Sequence, residues 1–212
     1  GIVVVEVPMA QRYTNGSSAL KAGQTFTVAD WKAWPEGERW ELINGEAFCM
    51  SPAPTRIHQK IAGELFYLLK QFLQKKPCEV LIAPIDVFLP DTPGEPPAET
   101  EDTVVQPDVL VVCDPEKLVD EGIRGAPDFI AEVLSPSTAS KDLEIKKGLY
   151  EKHGVREYWI VKSDGSVFAW ILQGGRYAPA TEYLPEMPVP SQVLAGFSWM
   201  PRSEWLPEKK KN

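Results

Sequence analysis

A short apolar run that begins with a proline and an acidic residue constrains the fold of this chain more than any other feature. The run is Val104–Asp114, with the sequence VVQPDVLVVCD. Its Val- and Leu-rich second half is typical of a β-strand that is buried on both faces. Asp108 stands at the start of that half, where an unpaired carboxylate costs a large free energy. The sequence therefore predicts that Asp108 lies just outside the core or that another group compensates its charge.

Length and composition are those of an ordinary globular protein. The 212 residues are 43% hydrophobic and 25% charged, which is enough to bury one sizeable core. The net charge of −8 at pH 7 weighs against broad, charge-driven binding to nucleic acid. A local basic patch or a bound cation can override that sum, so composition leaves a nucleic-acid partner open.

Cysteine usage and the absence of membrane signals predict a cytoplasmic protein. Cys49, Cys78 and Cys113 are single cysteines in apolar surroundings without CxxC spacing, so we expect buried free thiols in a reducing compartment. The longest apolar stretches are too short to span a membrane, and the first residues, GIVVVEVPMA, lack the basic flank of a signal peptide. We therefore expect no membrane partner.

Turn signals and periodicity predict an N-terminal arm (1–24), one folded domain (25–184) and a Pro-rich C-terminal tail (185–212). A capping-box pattern at Thr27 and Asp30 predicts a brief helix, and Asn44-Gly45 predicts a β-hairpin. The remaining elements, in chain order, are a helix over about Ile57–Lys75, a strand over Glu79–Leu89 with Pro84 at an edge or bulge, the strand within Val104–Asp114, a strand at Phe129–Pro136, a helix over about Ala139–His153, and a hairpin of strands 156–161 and 167–172. This order favours an α/β fold with a mixed sheet covered on two faces.

The helix over Ile57–Lys75 has the clearest pattern. Its apolar residues repeat at the spacing of one helical face and are Ile57, Ile61, Leu65, Leu68, Leu69 and Phe72. His58 falls within this stripe at about 100° per residue. His58 is either a partly buried histidine that a backbone group satisfies, or a polar residue that points from the first helical turn into a cleft.

A second acidic residue, Glu132, lies inside an apolar strand. Because side chains alternate along a strand, Glu132 shares a face with Ile130 and Leu134. A lone glutamate in that position would have a raised pKa or would destabilise the fold. Asp108 and Glu132 could instead share a divalent cation that keeps both carboxylates ionised. The alternative is that both are acidic residues near strand ends without a chemical role.

Lys146 is the third candidate because of its position on the helix that follows Glu132. At about 100° per residue it lies in the middle of the inward face that also carries Tyr150, whereas Lys147 points to the side. A lysine on an inward face rarely goes unpaired. Lys146 therefore takes part in the site, pairs with Asp142 four residues earlier, or extends past Tyr150 to water.

Three motifs contain these residues, namely Gln106-Pro107-Asp108, the run Glu132–Thr138, and Asp142-x-x-x-Lys146-x-x-x-Tyr150. Together they resemble the Uma-two family of restriction-endonuclease-like proteins, which belongs to the PD-(D/E)xK nuclease superfamily. GERWELINGE, APIDVFLPD and GVREYWIV are similar to other characteristic segments of that family, so the resemblance covers about Thr27–Leu172. The lysine of the superfamily stands two residues after the glutamate, where this chain has Leu134. In the resembled family the lysine lies on the following helix, as Lys146 does.

The resemblance implies a restriction-endonuclease-like fold, with additional hairpins at both ends, and metal-dependent hydrolysis of phosphodiester bonds in DNA. Asp108 and Glu132 would hold Mg²⁺ or Mn²⁺, with the Val133 carbonyl as a further ligand. Lys146 would orient the attacking water and stabilise charge on the phosphate. His58 would be a secondary candidate for holding phosphate or water.

Gln106 is a second candidate for holding phosphate or water, whereas we expect the acidic strand residues Glu46 and Asp86 to be structural. Two other functions remain open: a DNA-binding or assembly protein with a degenerate site on the same scaffold, and a hydrolase of small phosphoesters, which the acidic composition suits better. A basic groove beside Asp108 would favour the nuclease, and a small closed pocket would favour the phosphoesterase. A homodimer would suit cleavage of both DNA strands.

Overall fold

The computed structural model describes residues 24–34, 39–50, 54–92, 98–134 and 140–203, with the backbone alone for 140–143. Its three α-helices are α1 (Val28–Lys32), α2 (Arg56–Leu73) and α3 (Ser140–His153). The strands are β1 (Trp40–Ile43), β2 (Glu46–Cys49), β3 (Glu79–Ile82), β4 (Val87–Phe88), β5 (Val104–Val105), β6 (Val109–Val112), β7 (Leu118–Val119), β8 (Gly122–Arg124), β9 (Phe129–Val133), β10 (Glu157–Val161), β11 (Val167–Gln173), β12 (Arg176–Tyr177), β13 (Thr181–Tyr183), β14 (Val189–Pro190) and β15 (Ser198–Trp199). The α/β class expected from the sequence is confirmed.

A mixed seven-stranded sheet forms the centre of the molecule. Its strand order is β12-β11-β10-β9-β6-β3, and β13 also pairs with β11. β9 and β10 are parallel and are connected through α3, whereas β6 runs antiparallel to β9. A parallel pair needs such a crossover, because the chain must return to the same end of the sheet. β6, which begins directly after Asp108, and β9, which contains Glu132, are direct neighbours in this sheet.

A second, six-stranded sheet has the order β2-β1-β5-β4-β8-β7. It begins with the predicted hairpin, in which Asn44 and Gly45 have φ angles of 50° and 80°. Positive φ at both central residues defines the type I′ turn that Asn-Gly favours. The short helix α1 packs against this sheet and has the predicted capping box between Thr27 and Asp30.

The single strand expected over Glu79–Leu89 is wrong. The predicted strand is interrupted around the cis peptide bond between Ala83 and Pro84. β3, before this bond, joins the central sheet, and β4, after it, joins the second sheet. Proline cannot donate a ladder hydrogen bond, which ends β3 at the edge of the central sheet. The same segment therefore contributes one strand to each sheet.

Apolar layers cover both faces of the central sheet. On one face, the predicted stripe of α2 packs with the strands, and Ile61, Leu65 and Leu69 are buried. On the other face, α3 and the second sheet share a core that includes Leu110, Ile130, Leu149 and Tyr150. Asp108 lies two residues before Leu110, and Glu132 lies two residues after Ile130. Because residues two apart in a strand share a face, both carboxylates belong to the face that α3 covers.

Part of the segment assigned to the C-terminal tail packs into the core. Leu194, Phe197 and Trp199 belong to the same apolar layer as α2. Glu157, at the start of β10, is fully buried and fixes this segment. Its carboxylate accepts hydrogen bonds from the Trp159 indole at 2.8 Å, from the Ser191 hydroxyl at 2.6 Å, and from the backbone N–H groups of residues 192 and 193 at 3.1 and 2.9 Å. Residues beyond 203 lie outside the described residues, as does the predicted arm (1–24) apart from its last residue.

The expectation of free thiols is wrong for two of the three cysteines. Cys78 and Cys113 form a disulfide between the start of β3 and the end of β6, whereas Cys49 is not part of a disulfide among the described residues. The register of β3 and β6 pairs Glu79 with Val112, so the two cysteines lie directly opposite each other one step further on. The spacing of the cysteines in the sequence does not show how β3 and β6 pair, so the disulfide could not be predicted from it. None of the described helices is long and apolar enough to cross a membrane.

Candidate active site

Asp108 and Glu132 meet at one end of the central sheet. The pairing of Val109 with Ala131 places Asp108 opposite Glu132 across β6 and β9. The backbone N–H of Val133 donates to Asp108 Oδ2 at 2.7 Å, and the N–H of Asp108 makes a long contact of 3.4 Å with Glu132 Oε2. Each carboxylate is thus held by the backbone of the partner strand, so sheet register fixes the pair.

His58 reaches the same carboxylate from the first turn of α2. Thr55 caps this helix, and its hydroxyl accepts a hydrogen bond from the backbone N–H of His58 at 3.2 Å. His58 Nε2 lies 3.1 Å from Asp108 Oδ2, and both side chains are largely buried. The structure therefore places His58 beside the carboxylate pair, and its partner is a carboxylate, not a backbone group.

Lys146 lies between two glutamates. Its Nζ donates to Glu132 Oε1 at 3.1 Å and to Glu41 Oε1 at 2.9 Å. The hydroxyl of Tyr150, one helical turn later, also donates to Glu132 Oε1, at 2.8 Å. The Lys146 side chain is 14% exposed and that of Lys147 is 31% exposed, which confirms the predicted helical phase. We call Glu41, Asp108, Glu132 and Lys146 the carboxylate–lysine cluster.

Burial and neighbouring charges act on the cluster in opposite directions. Burial lowers the pKa of the Lys146 amine, but Glu132 and Glu41 outweigh it and raise that pKa well above its ordinary range. Burial raises the pKa of Glu132 to about 7, and the carboxylates of Asp108 and Glu41 add to the rise against the effect of Lys146. Lys146 is therefore an ammonium ion at neutral pH, whereas burial and the neighbouring carboxylates let Glu132 take up a proton easily in spite of Lys146.

The His58–Asp108 pair is an ion pair by the same reasoning. Burial alone would lower the pKa of His58, but the hydrogen bond to Asp108 raises it. Burial alone would raise the pKa of Asp108, but the hydrogen bond from His58 lowers it. An imidazolium and a carboxylate in contact stabilise each other's charged form.

Gln106 lies at the rim of the cluster, but its side-chain amide is already engaged. Its carbonyl oxygen accepts from Arg39 Nε and Nη2 at 3.0 and 2.8 Å, and its amide group donates to Asp86 Oδ1 at 2.7 Å. The backbone N–H of Gln106 donates to Glu41 Oε1 at 2.8 Å. Gln106 thus connects the rim to the cluster, and Asp86 has the structural contact that we expected. Glu46 is exposed on β2, which is an edge strand of the second sheet.

Sequence reasoning missed the roles of Glu41 and Tyr150 in this geometry. Glu41 lies on β1 of the second sheet, and all four residues of that strand are buried. A glutamate between Trp40 and Leu42 carries the same signal as Glu132 among its apolar neighbours, so the pattern was available in the sequence. Its partner was not, because Lys146 is 105 positions away.

The donor atoms suit a hard cation, although they do not form a complete ligand set. No group of three or more His, Cys, Asp and Glu side chains suited to a metal ion occurs in the part of the chain that the structure describes. Among those residues, Asp108 Oδ1 accepts no hydrogen bond, and Glu132 Oε2 accepts only the long contact from Asp108 N. Carboxylate oxygens are the ligands that Mg²⁺ and Mn²⁺ prefer. With all three cluster carboxylates ionised, Lys146 and His58 leave a residual negative charge that a cation would balance.

The fold of this chain is shared with a solved structure. The structure is similar to the crystal structure of a protein described as "a putative nuclease belonging to DUF820 from Anabaena variabilis ATCC 29413". The identity is 20%, the TM-score is 0.62, and the match covers 80% of this chain and 91% of that chain. At this identity the likeness shows a common fold.

The sequence then gives the family. The sequence model described as "Uma2: Putative restriction endonuclease" matches residues 28–203. The chain belongs to that family, and the resemblance noted from the motifs is confirmed. None of the curated proteins matches the chain.

Proposed function

We propose that this protein is a metal-dependent nuclease that hydrolyses phosphodiester bonds of DNA at the carboxylate–lysine cluster. The observation that carries the proposal is the position of Lys146 Nζ, 3.1 Å from Glu132, which itself lies opposite Asp108 at one end of the central sheet. Two carboxylates and a buried ammonium from three different elements meet there. Membership of a restriction-endonuclease family supports phosphodiester hydrolysis as the reaction.

Asp108 and Glu132 would hold the metal ion. Mg²⁺ or Mn²⁺ bound there would polarise a phosphate oxygen and lower the pKa of a bound water. Their spare carboxylate oxygens are hard ligands, and metal binding would keep Glu132 ionised in spite of its raised pKa. Water and phosphate oxygens would complete the ligand set, because Mg²⁺ is usually held by one or two carboxylates and its substrate.

Lys146 would act as an electrostatic group. Its raised pKa keeps the amine charged, so it cannot accept the proton of the attacking water. An ammonium held by Glu41 and Glu132 has one N–H left, which can donate to that water or to a phosphate oxygen on which negative charge builds up. Glu41 is then a positioning residue, because it holds the amine together with Glu132.

His58 would hold Asp108 in position and present a positive charge to the substrate. Its Nε2 is engaged with Asp108 Oδ2, which leaves Asp108 Oδ1 for the metal. An imidazolium beside the site also offsets the negative charge that a phosphate group would meet. Gln106 would support the site through Arg39 and Asp86, since both ends of its amide are engaged with these residues.

A cleavage assay on supercoiled plasmid DNA tests the proposed function. The full chain is expected to nick or linearise the plasmid with Mg²⁺ or Mn²⁺ and to be inactive in EDTA. Asp108→Asn is expected to abolish cleavage while the protein stays folded by circular dichroism, because the amide keeps the shape but loses a metal-binding charge. Asp120→Asn, on the exposed turn between β7 and β8, is the matched control and is expected to cut like the wild type. Metal-independent cleavage, or full activity of Asp108→Asn, would contradict the proposal.

A further inference from the structure

Arg39 is an exposed arginine that is nevertheless held in a fixed orientation. It lies directly before β1, and its Nε and Nη2 both donate to the side-chain oxygen of Gln106, at 3.0 and 2.8 Å. A surface arginine usually samples many rotamers, and two hydrogen bonds from one edge of the planar guanidinium restrict them. Among the described residues, no hydrogen bond is made by the opposite edge of the group, which can accept another partner.

The Gln106 side chain, which holds Arg39, is itself fixed by a hydrogen bond to Asp86. Gln106 is 8% exposed, and its amide donates to Asp86 Oδ1 at 2.7 Å. This hydrogen bond also settles the orientation of the Gln106 amide, because the carboxylate can only accept and the guanidinium can only donate. The three side chains form a relay that runs from a half-buried carboxylate to a guanidinium in solvent.

Arg39 also lies beside the proposed reaction site. Gln106, its partner, is two residues from Asp108, which is about 7 Å of extended chain. The backbone N–H of Gln106 donates to the same Glu41 oxygen that accepts from Lys146. The guanidinium, which is bonded to the Gln106 side chain, thus lies at the rim of the carboxylate–lysine cluster.

The charges around Arg39 make it necessary for a polyanionic substrate. The described residues at this end of the sheet include four carboxylates, those of Glu41, Asp86, Asp108 and Glu132, which repel phosphate. Arg39 has no ion pair with a carboxylate among the described residues, whereas Lys146 and His58 are both engaged in ion pairs within the site. Arg39 is therefore the cation of this set that is best placed to bind phosphate.

We propose that Arg39 is a phosphate-binding residue, which contacts a backbone phosphate of DNA next to the one that is cleaved. This inference rests on the proposed function, which it extends from the reacting phosphate to the adjacent backbone. A guanidinium suits this task because it binds two phosphate oxygens at once through parallel N–H groups. The relay from Asp86 through Gln106 orients Arg39 before the substrate arrives, so little side-chain freedom is lost on binding.

Binding of a fluorescent DNA duplex in EDTA, followed by anisotropy at several salt concentrations, tests this inference. EDTA removes catalysis, so affinity is measured apart from cleavage. Arg39→Ala is expected to weaken binding about tenfold, and to reduce the slope of log K against log salt by about 0.9, the value for one phosphate that the protein no longer neutralises. Arg39→Lys is expected to keep the slope and to lose part of the affinity, because it keeps the charge but not the two parallel N–H donors of the guanidinium.

The control is Arg176→Ala, which removes the same charge from the exposed end of β12, three strands away from β9. It is expected to leave both affinity and slope unchanged. The inference is overturned if Arg39→Ala keeps the wild-type slope, if Arg176→Ala lowers the slope equally, or if the wild-type protein does not bind the duplex. A merely structural Arg39 that balances Asp86 would change the free energy of unfolding and leave the slope as it is. The plasmid assay with Asp108→Asn decides the proposed function separately.

Discussion

His58 Nε2 and Asp108 Oδ2 lie 3.1 Å apart, although 50 positions separate the two residues in the sequence. The contact joins the first turn of α2 to the strand pair that carries the acidic residues. It also sets the protonation of both groups, since burial and pairing act on each pKa in opposite directions. The charge state of His58 is therefore a direct report on whether Asp108 is ionised beside it.

Asp108→Asn is expected to lower the pKa of His58. The hydrogen bond to the Asp108 carboxylate raises this pKa against burial, so its loss leaves burial with only the weaker influence of Glu132 against it. NMR titration of the ring protons measures the change. The chain has two histidines, and the second, His153, is the internal reference because burial lowers its pKa to about 4 in a different environment. An unchanged His58 pKa in the variant would show that the pair does not form.

Lys146→Ala is expected to destabilise the protein and to abolish cleavage. Glu41 and Glu132 have side chains that are 8% exposed, and removal of their shared cation leaves two buried carboxylates uncompensated. The breaking of a buried ion pair costs about 3–5 kcal/mol, which urea denaturation measures. Lys147→Ala is the control, because Lys147 contacts only Glu144, at 4.0 Å, and the ring of Trp170, so a change within about 0.5 kcal/mol is expected. A larger loss for Lys147 than for Lys146 would contradict the assignment.

Tyr150→Phe is expected to weaken metal binding at neutral pH. The Tyr150 hydroxyl donates to Glu132 Oε1 and favours the ionised carboxylate, so its removal raises the pKa of Glu132 further. The lost buried hydrogen bond also costs about 1 kcal/mol of stability. Tyr158→Phe is a close control, since the two rings lie 5.1 Å apart and the Tyr158 hydroxyl has no hydrogen-bond partner among the described residues. Calorimetric titration with Mg²⁺ compares the variants, and equal affinities would remove Tyr150 from the site.

Affinity for Mg²⁺ is expected to rise as the pH rises through about 7. Only the ionised form of Glu132 can bind a cation, and burial raises the pKa of this group from 4.5 to about 7. Protons therefore compete with the metal below that pH and no longer compete above it. His58→Gln is expected to keep the midpoint, which separates Glu132 from the other titrating group nearby. Metal affinity that does not change between about pH 6 and pH 8 would rule out Glu132 as the ligand.

Much of this architecture is contained in local sequence pattern. The apolar stripe of α2, the Asn44-Gly45 turn and the inward direction of Lys146 follow from the spacing of neighbouring residues, which a single sequence displays. The proximity of Asp108 and Glu132 follows from their places in two strands that are consecutive in the predicted order. These predictions depend on contacts within an element or between adjacent strands, and the structure bears them out.

The rest depends on how distant segments meet. Glu41 joins the cluster because the second sheet folds over α3, and no local pattern shows which strand supplies a partner for Lys146. The hydrogen bonds of the Gln106 amide likewise require Arg39 and Asp86, from two other segments. Short strands such as β14 and β15, of two residues each, have too little periodicity to be recognised. The sequence could therefore suggest the candidate site residues but not the residues that contact and orient them.

Reduction of the Cys78–Cys113 disulfide is expected to lower stability. The bond closes a loop across 35 positions, and loop-closure entropy gives roughly 4 kcal/mol for a loop of this length. Thermal unfolding with and without reductant measures the loss, and the Cys78→Ser, Cys113→Ser double variant is expected to unfold at the reduced protein's temperature with or without reductant. Thiol titration of the denatured, unreduced protein is expected to detect Cys49 alone. Three reactive thiols under those conditions would show that the disulfide is absent.

The burial of Glu157 has a consequence for the order in which the molecule is completed. This carboxylate sits in β10, at the centre of the sheet, yet three of its four hydrogen-bond donors belong to residues 191–193. The ribosome makes β10 first, so the strand emerges with a carboxylate that cannot enter an apolar interior unaccompanied. Full burial of Glu157 therefore requires residues 191–193, which are synthesised more than thirty residues later, counting from Glu157 to Ser191. The packing of the sheet at β10 is thus completed by a segment that is far in sequence from every acidic residue of the cluster.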